Sequence, residues 1–134
     1  MSEATNLETI RSAYAAFGRG DVPALMALID AKVEWDNPGP REIPWAGSFR
    51  GHDGVGGFFS ALGTGVEFEA FEPRTFVAQG DRVIVLGYER ARVKRTGKTF
   101  SNHWAHAFKL AGGKVTQFHE YGDSAAVAAA CREG

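Results

Sequence analysis

Two periodicities divide this chain of 134 residues, and together they predict an α+β fold. Before Val66 three segments, 5–17, 21–29 and 53–62, carry apolar residues at helical spacing, whereas from Val66 onward apolar residues alternate with polar ones in four long runs. Three glycine-containing turns join the four runs, so consecutive strands are antiparallel and form a meander whose apolar face needs covering. Strands of ten or more residues on a twisted sheet curl. The expected shape is therefore a cone: a strongly curved, mainly antiparallel sheet wrapped by three N-terminal helices around a pocket.

The elements follow in order. Residues 5–17 place Leu7, Ile10, Tyr14 and Phe17 on one helical stripe, and Gly18-Arg19-Gly20 stops the run. Asp21 suits the N-cap of a shorter second helix through Ala24, Leu25, Leu28 and Ile29, with Pro23 tolerated in its first turn. Residues 32–36 read as a short strand that Asn37-Pro38-Gly39-Pro40 ends, and an irregular loop is expected from there to about Gly51. Asp53 is expected to cap a third helix carrying Val55, Phe58, Phe59 and Leu62. Gly54, Gly56 and Gly57 each weaken it by about 1 kcal/mol, so it depends on tertiary packing. The four strands cover 66–78, 82–94, 98–110 and 114–121, and residues 124–130 read as a closing helix with Asp123 as its cap.

With 44% hydrophobic residues the chain fits one compact domain over 1–134, which buries roughly two-thirds of its unfolded surface. Fifteen Lys and Arg balance sixteen Asp and Glu, so a net charge of −1 offers no field for nucleic acid or for an anionic membrane. No signal-peptide pattern and no apolar run near 20 residues is visible, and a cytoplasmic protein is expected. Cys131 is the only cysteine and has no internal disulfide partner. Four His without clustered inward carboxylates predict no metal site.

The chemistry concentrates in the last hairpin. On the third long strand Phe100, Asn102, Trp104, His106, Phe108 and Leu110 share the inward face. Which face the returning strand turns inward depends on the loop, because a slip of one residue exchanges the two faces. A three-residue loop over 111–113 would oppose Trp104 to Glu120 and turn Phe118, Glu120 and Gly122 inward beside His106. A two-residue Gly112-Gly113 turn would instead oppose His106 to His119 and turn Glu120 outward. The sequence is compatible with both geometries. An inward Glu120 would either hold a raised pKa or pair with His106, and each state suits acid or base work near neutrality. The plainer alternatives are a core histidine bonded to a backbone or Tyr partner, and a solvated glutamate.

Other inward positions supply walls and polar handles. Glu89 shares a face with Val83, Val85, Ala91 and Val93 and reads as a polar group of the pocket or its rim. Trp35 and Asn37 on the first strand, with Trp104, could give an aromatic wall and neutral donors for a planar carbonyl ligand. Arg90, Arg92 and Lys94 form a basic row on the opposite face, best read as solvated or subunit-contacting. His52 suits a turn or cap, and His103 and His119 fall on the outer face. No nucleophile elbow or Ser-His-Asp arrangement is visible.

The order helical hairpin, short strand ending in Asp36-Asn37-Pro38, third helix and four long strands resembles the nuclear transport factor 2 (NTF2-like) cone, specifically its SnoaL-like and ketosteroid-isomerase-like branch. The resemblance covers nearly the whole chain. Its further carriers are Ala15-Ala16-Phe17 with Gly20-Asp21, the stretch from Ile43 to His52, Gly112-Gly113-Lys114-Val115 and Glu120-Tyr121-Gly122-Asp123. Steroid isomerases of this fold use a helix-one tyrosine, a carboxylate base and a protonated aspartate. An ungapped alignment from Gly20-Asp21 puts Ala13, Asn37 and Trp104 at those positions, with Tyr14 and Asp36 one residue away. The polyketide-cyclase branch is similar in a different way: it has a His and a carboxylate fourteen positions apart on the last two strands, as His106 and Glu120 are, with Glu in place of Asp.

Since the fold hosts many reactions, the resemblance implies chemistry only through these residues. The expectation is a cofactor-free isomerase, cyclase or dehydratase acting on a small apolar carbonyl compound. Glu120 would be the base, His106 its orienter or the acid, and Trp35, Asn37, Glu89, Trp104 and Phe118 the substrate contacts. The rival expectation is a non-catalytic ligand-binding or dimerisation module. Ile84, Leu86 and Tyr88 on the outer sheet face suggest a covered surface, and a homodimer is the simplest cover.

Overall fold

A computed structural model describes residues 2–133 of the chain. Helix α1 (Glu3–Gly18) starts at Ser2, whose side chain accepts the Thr5 amide, and buries Ile10, Ala13 and Ala16. Helix α2 (Val22–Met26) is capped by Asp21 through the Ala24 amide. It stops three residues short of the expected end. The Leu28 carbonyl already accepts the Val115 amide, so Ile29 opens strand β1 (Ile29–Asn37) instead of continuing the helix.

Strand β2 (Gly47–Arg50) lies within the expected irregular loop and pairs antiparallel with β1, Trp35 opposite Phe49. Its four residues are too few to display a period. Helix α3 (Gly51–Gly65) begins two residues before Asp53, which sits in the first turn and does not cap it. Arg50 occupies the cap position, and its side chain makes no capping hydrogen bond. Gly51, at φ +69°, makes the corner out of β2 that places the helix start there. The His52 ring donates from Nε2 to the Ile29 carbonyl at 2.7 Å, tying α3 to β1.

The four long strands, β3 (Val66–Gln79), β4 (Arg82–Val93), β5 (Thr99–Ala111) and β6 (Lys114–Tyr121), match expectation within two residues at each end. Helix α4 (Ser124–Cys131) closes the described chain, with Asp123 accepting the Ala126 amide as its cap. The sheet order is β2-β1-β6-β5-β4-β3, antiparallel throughout except for the β1–β6 pair. Register shifts in β3 between Phe68 and Ala70 and between Pro73 and Thr75 bend this edge strand, where Pro73 removes no interior ladder bond. The result is a curved, open sheet. Helix α1 packs on β3 and β4, α3 on β1 and β2, and α4 on β5, so the core lies in the concavity.

The loop that decides the face of Glu120 combines features of both expectations. Gly112 and Gly113 have φ of +59° and +79°, and Ala111 pairs with Lys114, so the turn has two residues. The register then shifts between Lys109 and Leu110: Leu110 opposes Val115, but Lys109 opposes Gln117. Thr116 is the extra residue of this bulge, and its hydroxyl donates to the Lys109 carbonyl at 3.2 Å. One inserted residue reverses the alternation. Glu120 consequently faces inward and lies opposite His106, not Trp104.

Candidate active site

His106 sits between two partners from different elements. Its Nε2 lies 2.9 Å from Glu120 Oε1 on β6, and its Nδ1 lies 2.7 Å from the Tyr14 hydroxyl on α1. Burial, followed by the negative charge of Glu120, holds the Tyr14 pKa well above the usual phenol range, so Tyr14 stays protonated. With Glu120 ionised and His106 neutral, Nε2–H donates to the carboxylate and Nδ1 accepts from Tyr14. The three groups form a chain of hydrogen bonds from helix to sheet. Trp104 stacks on the imidazole at 3.8 Å between centroids with an interplanar angle of 12°, which fixes the ring plane.

All three groups line a cavity of about 90 Å³ inside the cone, and the rest of its wall is mainly aromatic. Trp35 and Phe118 form one side, stacked at 4.0 Å, and the buried indole Nε1 of Trp35 has no hydrogen-bond partner. Asn37 lines the cavity too, its Nδ2 lying 3.5 Å from the Trp45 carbonyl. Trp104, expected as a substrate contact, does not line it. Its indole lies across Gly87, where a Cβ would come within 2.3 Å, and it serves as backing for His106.

Glu89 is more deeply placed than a rim residue, at 8% exposure. Its Oε2 accepts from Asn102 Nδ2 at 3.0 Å, and Asn102 Oδ1 accepts the Asp123 amide at 2.8 Å, so the backbone dictates which end of the amide meets Glu89. Burial first, then the charge of Glu120, push the Glu89 carboxyl up to about 7 against the opposing effect of the Asn102 bond. A second cavity, of about 270 Å³, shares Asn37, Trp45, Glu89 and Glu120 with the first and adds Asn102, His119 and Ser124. The four shared residues form a partition between an apolar chamber and a polar one.

Tyr14 joins the site although no sequence motif marks it there. The ungapped alignment put Ala13 at the tyrosine position, yet it is the Tyr14 hydroxyl that reaches His106; the stripe Leu7, Ile10, Tyr14, Phe17 was the available signal. Asp36 faces outward, where the Ser48 hydroxyl at 2.7 Å, together with Arg50, keeps its carboxyl below the usual range. Among the described residues no group of three His, Cys, Asp or Glu is placed to hold a metal ion, and no helix is long and apolar enough to cross a membrane.

The SnoaL-like domain family model matches residues 10–118. The uncharacterized protein Rv0034 of Mycobacterium tuberculosis is 32% identical over 94% of this chain and 95% of its own. Among solved structures, an NTF2-like protein from Burkholderia xenovorans LB400 is 39% identical with a TM-score of 0.91, covering 98% of this chain and 99% of that one. TerC, co-crystallized with polyporic acid, is 28% identical with a TM-score of 0.82, covering 95% of this chain and 98% of that one. Sequence and architecture agree, and the chain belongs to the SnoaL-like family of the NTF2-like superfamily.

Proposed function

We propose that this protein is an enzyme that binds a small apolar carbonyl compound in the inner chamber and moves a proton on it through Glu120 and His106. The observation that carries this reading is the hydrogen-bonded chain Tyr14–His106–Glu120, with His106 buried and its two partners half-buried, on the wall of an otherwise aromatic cavity. A core histidine needs one partner, whereas this one has a donor on one side and a carboxylate on the other. Bonding Oε1 to His106 orients the carboxyl group and leaves its second oxygen for a substrate proton.

Glu120 is the base and Phe118 with Trp35 the flat wall against which a conjugated ligand stacks. Asn37 and the unpartnered Trp35 indole supply donors for a ligand oxygen. Isomerisation, aldol-type cyclisation and dehydration all begin with this proton removal. That a relative was co-crystallized with polyporic acid supports an aromatic carbonyl compound as the ligand type. The test is Glu120→Gln: turnover of an enolisable ketone falls at least about 10³-fold, since the base is gone, while the thermal shift given by the same ketone is retained. Equal turnover in the variant removes Glu120 as base.

The outer sheet face favours a second copy of the chain as partner. Leu86 and Val77 lie there, 48% and 52% exposed, on adjacent strands. This homodimer reading is independent of the chemistry.

A further inference from the structure

Enolisation leaves a negative charge on the carbonyl oxygen, and this site has no fixed cation to meet it. Among the described residues no Lys or Arg lines either chamber, and the base itself is anionic. Tyr14 is committed to His106, and His106 directs its own N–H at Glu120. Asn and Trp N–H groups can hydrogen-bond an oxyanion but do not surrender a proton. The remaining acid of the partition is Glu89.

We propose that Glu89 is the second proton-transfer group of this site, protonating the carbonyl oxygen while Glu120 removes the proton from the adjacent carbon. The inference rests on the proton-transfer reading of Glu120 and assigns Glu89 a role beyond substrate contact. In the step, the Glu120 carboxylate takes the carbon-bound proton, the C–H pair becomes the C=C bond, and the carbonyl π pair moves to oxygen. That oxygen forms an O–H bond with the Glu89 proton. The products are an enol, a neutral Glu120 and an ionised Glu89, and proton exchange between the two carboxyls resets the site.

Three observations support this role. Glu89 lines both chambers, so its carboxyl stands where an apolar body and a polar end of one ligand would meet. The carboxyl is held by Asn102 through Oε2 only, which leaves the other oxygen to carry the proton. Asn102 is itself locked by the Asp123 amide and by Gly122, where a Cβ would lie 2.9 Å from its Nδ2. The electrostatics then link the two steps. The charge of Glu120 is one of the causes that keep Glu89 protonated, so neutralising Glu120 by a substrate proton makes Glu89 a stronger acid when its proton is needed.

The titratable groups lining either chamber besides Glu89 are Tyr14, His106, His119, Glu120 and Tyr121; β3 opposes Glu89 with Phe71 and β5 with Asn102, neither of which is charged. Exchange of the C2 protons of 1-tetralone in D₂O, followed by NMR with the full chain, tests the assignment. Wild type accelerates exchange with a rate that declines above about pH 7. Glu89→Gln keeps an acceptor for Asn102, lowers the rate about 10²-fold and loses the alkaline decline. Without any ketone, ¹³C NMR of the glutamate carboxyls shows Glu89 titrating near 7 and moving down in Glu120→Gln.

The outcomes separate the two claims. If wild type and Glu89→Gln exchange alike while Glu120→Gln is inactive, Glu89 is not the acid and the Glu120 reading stands. If Glu89 titrates in the ordinary carboxylate range, the role assigned to it is overturned irrespective of turnover. If wild type does not accelerate exchange, the proton-transfer reading fails and the role of Glu89 fails with it.

Discussion

Tyr14 and Glu89 behave differently from what their residue types suggest, and each gives a measurable consequence. Tyr14→Phe keeps the ring that stacks with Trp104 but leaves His106 Nδ1 buried without its partner. The expected cost is about 1–3 kcal/mol in a urea melt, with ketone exchange slowed at least about 10-fold because the imidazole is no longer pinned. For Glu89 the sign is the reverse. A carboxyl whose folded pKa is raised to about 7 keeps its proton in the fold while the unfolded chain, at 4.5, has already lost it. Stability therefore falls as pH rises between those values, and the loss is complete above about 7. Glu89→Gln should match wild type near pH 4 and be more stable at pH 8 by about 2–3 kcal/mol. A variant less stable at both pH values would show that the carboxyl is not held neutral.

Individual elements carry the site only because of small irregularities in them. Had β6 run without its bulge at Thr116, the two-residue turn would have put His119 opposite His106 and exposed Glu120. Gly87 is a second such feature: a Cβ there would lie 2.3 Å from the Trp104 indole and 2.7 Å from the Glu72 carbonyl, so only glycine lets Trp104 lie flat behind His106. Gly87→Ala should destabilise the protein by about 1–3 kcal/mol in chemical denaturation and lower ketone exchange by displacing the imidazole. Alternation and turn glycines made β3 to β6 legible, because a period of two over ten residues is a strong signal. Strand β2, four residues long, shows no period, and the bulge depends on a ladder that no local pattern specifies. The pairing of His106 with Glu120 was legible as a possibility, from parity, but Tyr14 needed the packing of α1 on the sheet.

At the scale of the whole molecule, the curved sheet and three helices enclose an aromatic chamber whose polar groups come from α1, β1, β4, β5 and β6. Helix α4 and the Asp123 cap tie the open end to Asn102 and thereby to Glu89. For the outer face proposed to meet a second copy, sedimentation velocity should show a dimer for wild type and a monomer with unchanged circular dichroism for Leu86→Glu. A wild-type monomer at tens of micromolar would contradict that face as an interface. The arginines there pair with glutamates across strands, Arg90 with Glu69 at 2.8 Å and Arg92 with Glu67 at 3.6 Å, which fits a solvated or subunit-contacting surface better than an anion site.

The most direct measurement is the rate at which C2 of 1-tetralone exchanges with D₂O in the presence of wild type and of Glu120→Gln at equal folded concentration. The account predicts exchange well above buffer for wild type and a loss of at least about 10³-fold in the variant. Equal rates for the two proteins would contradict it.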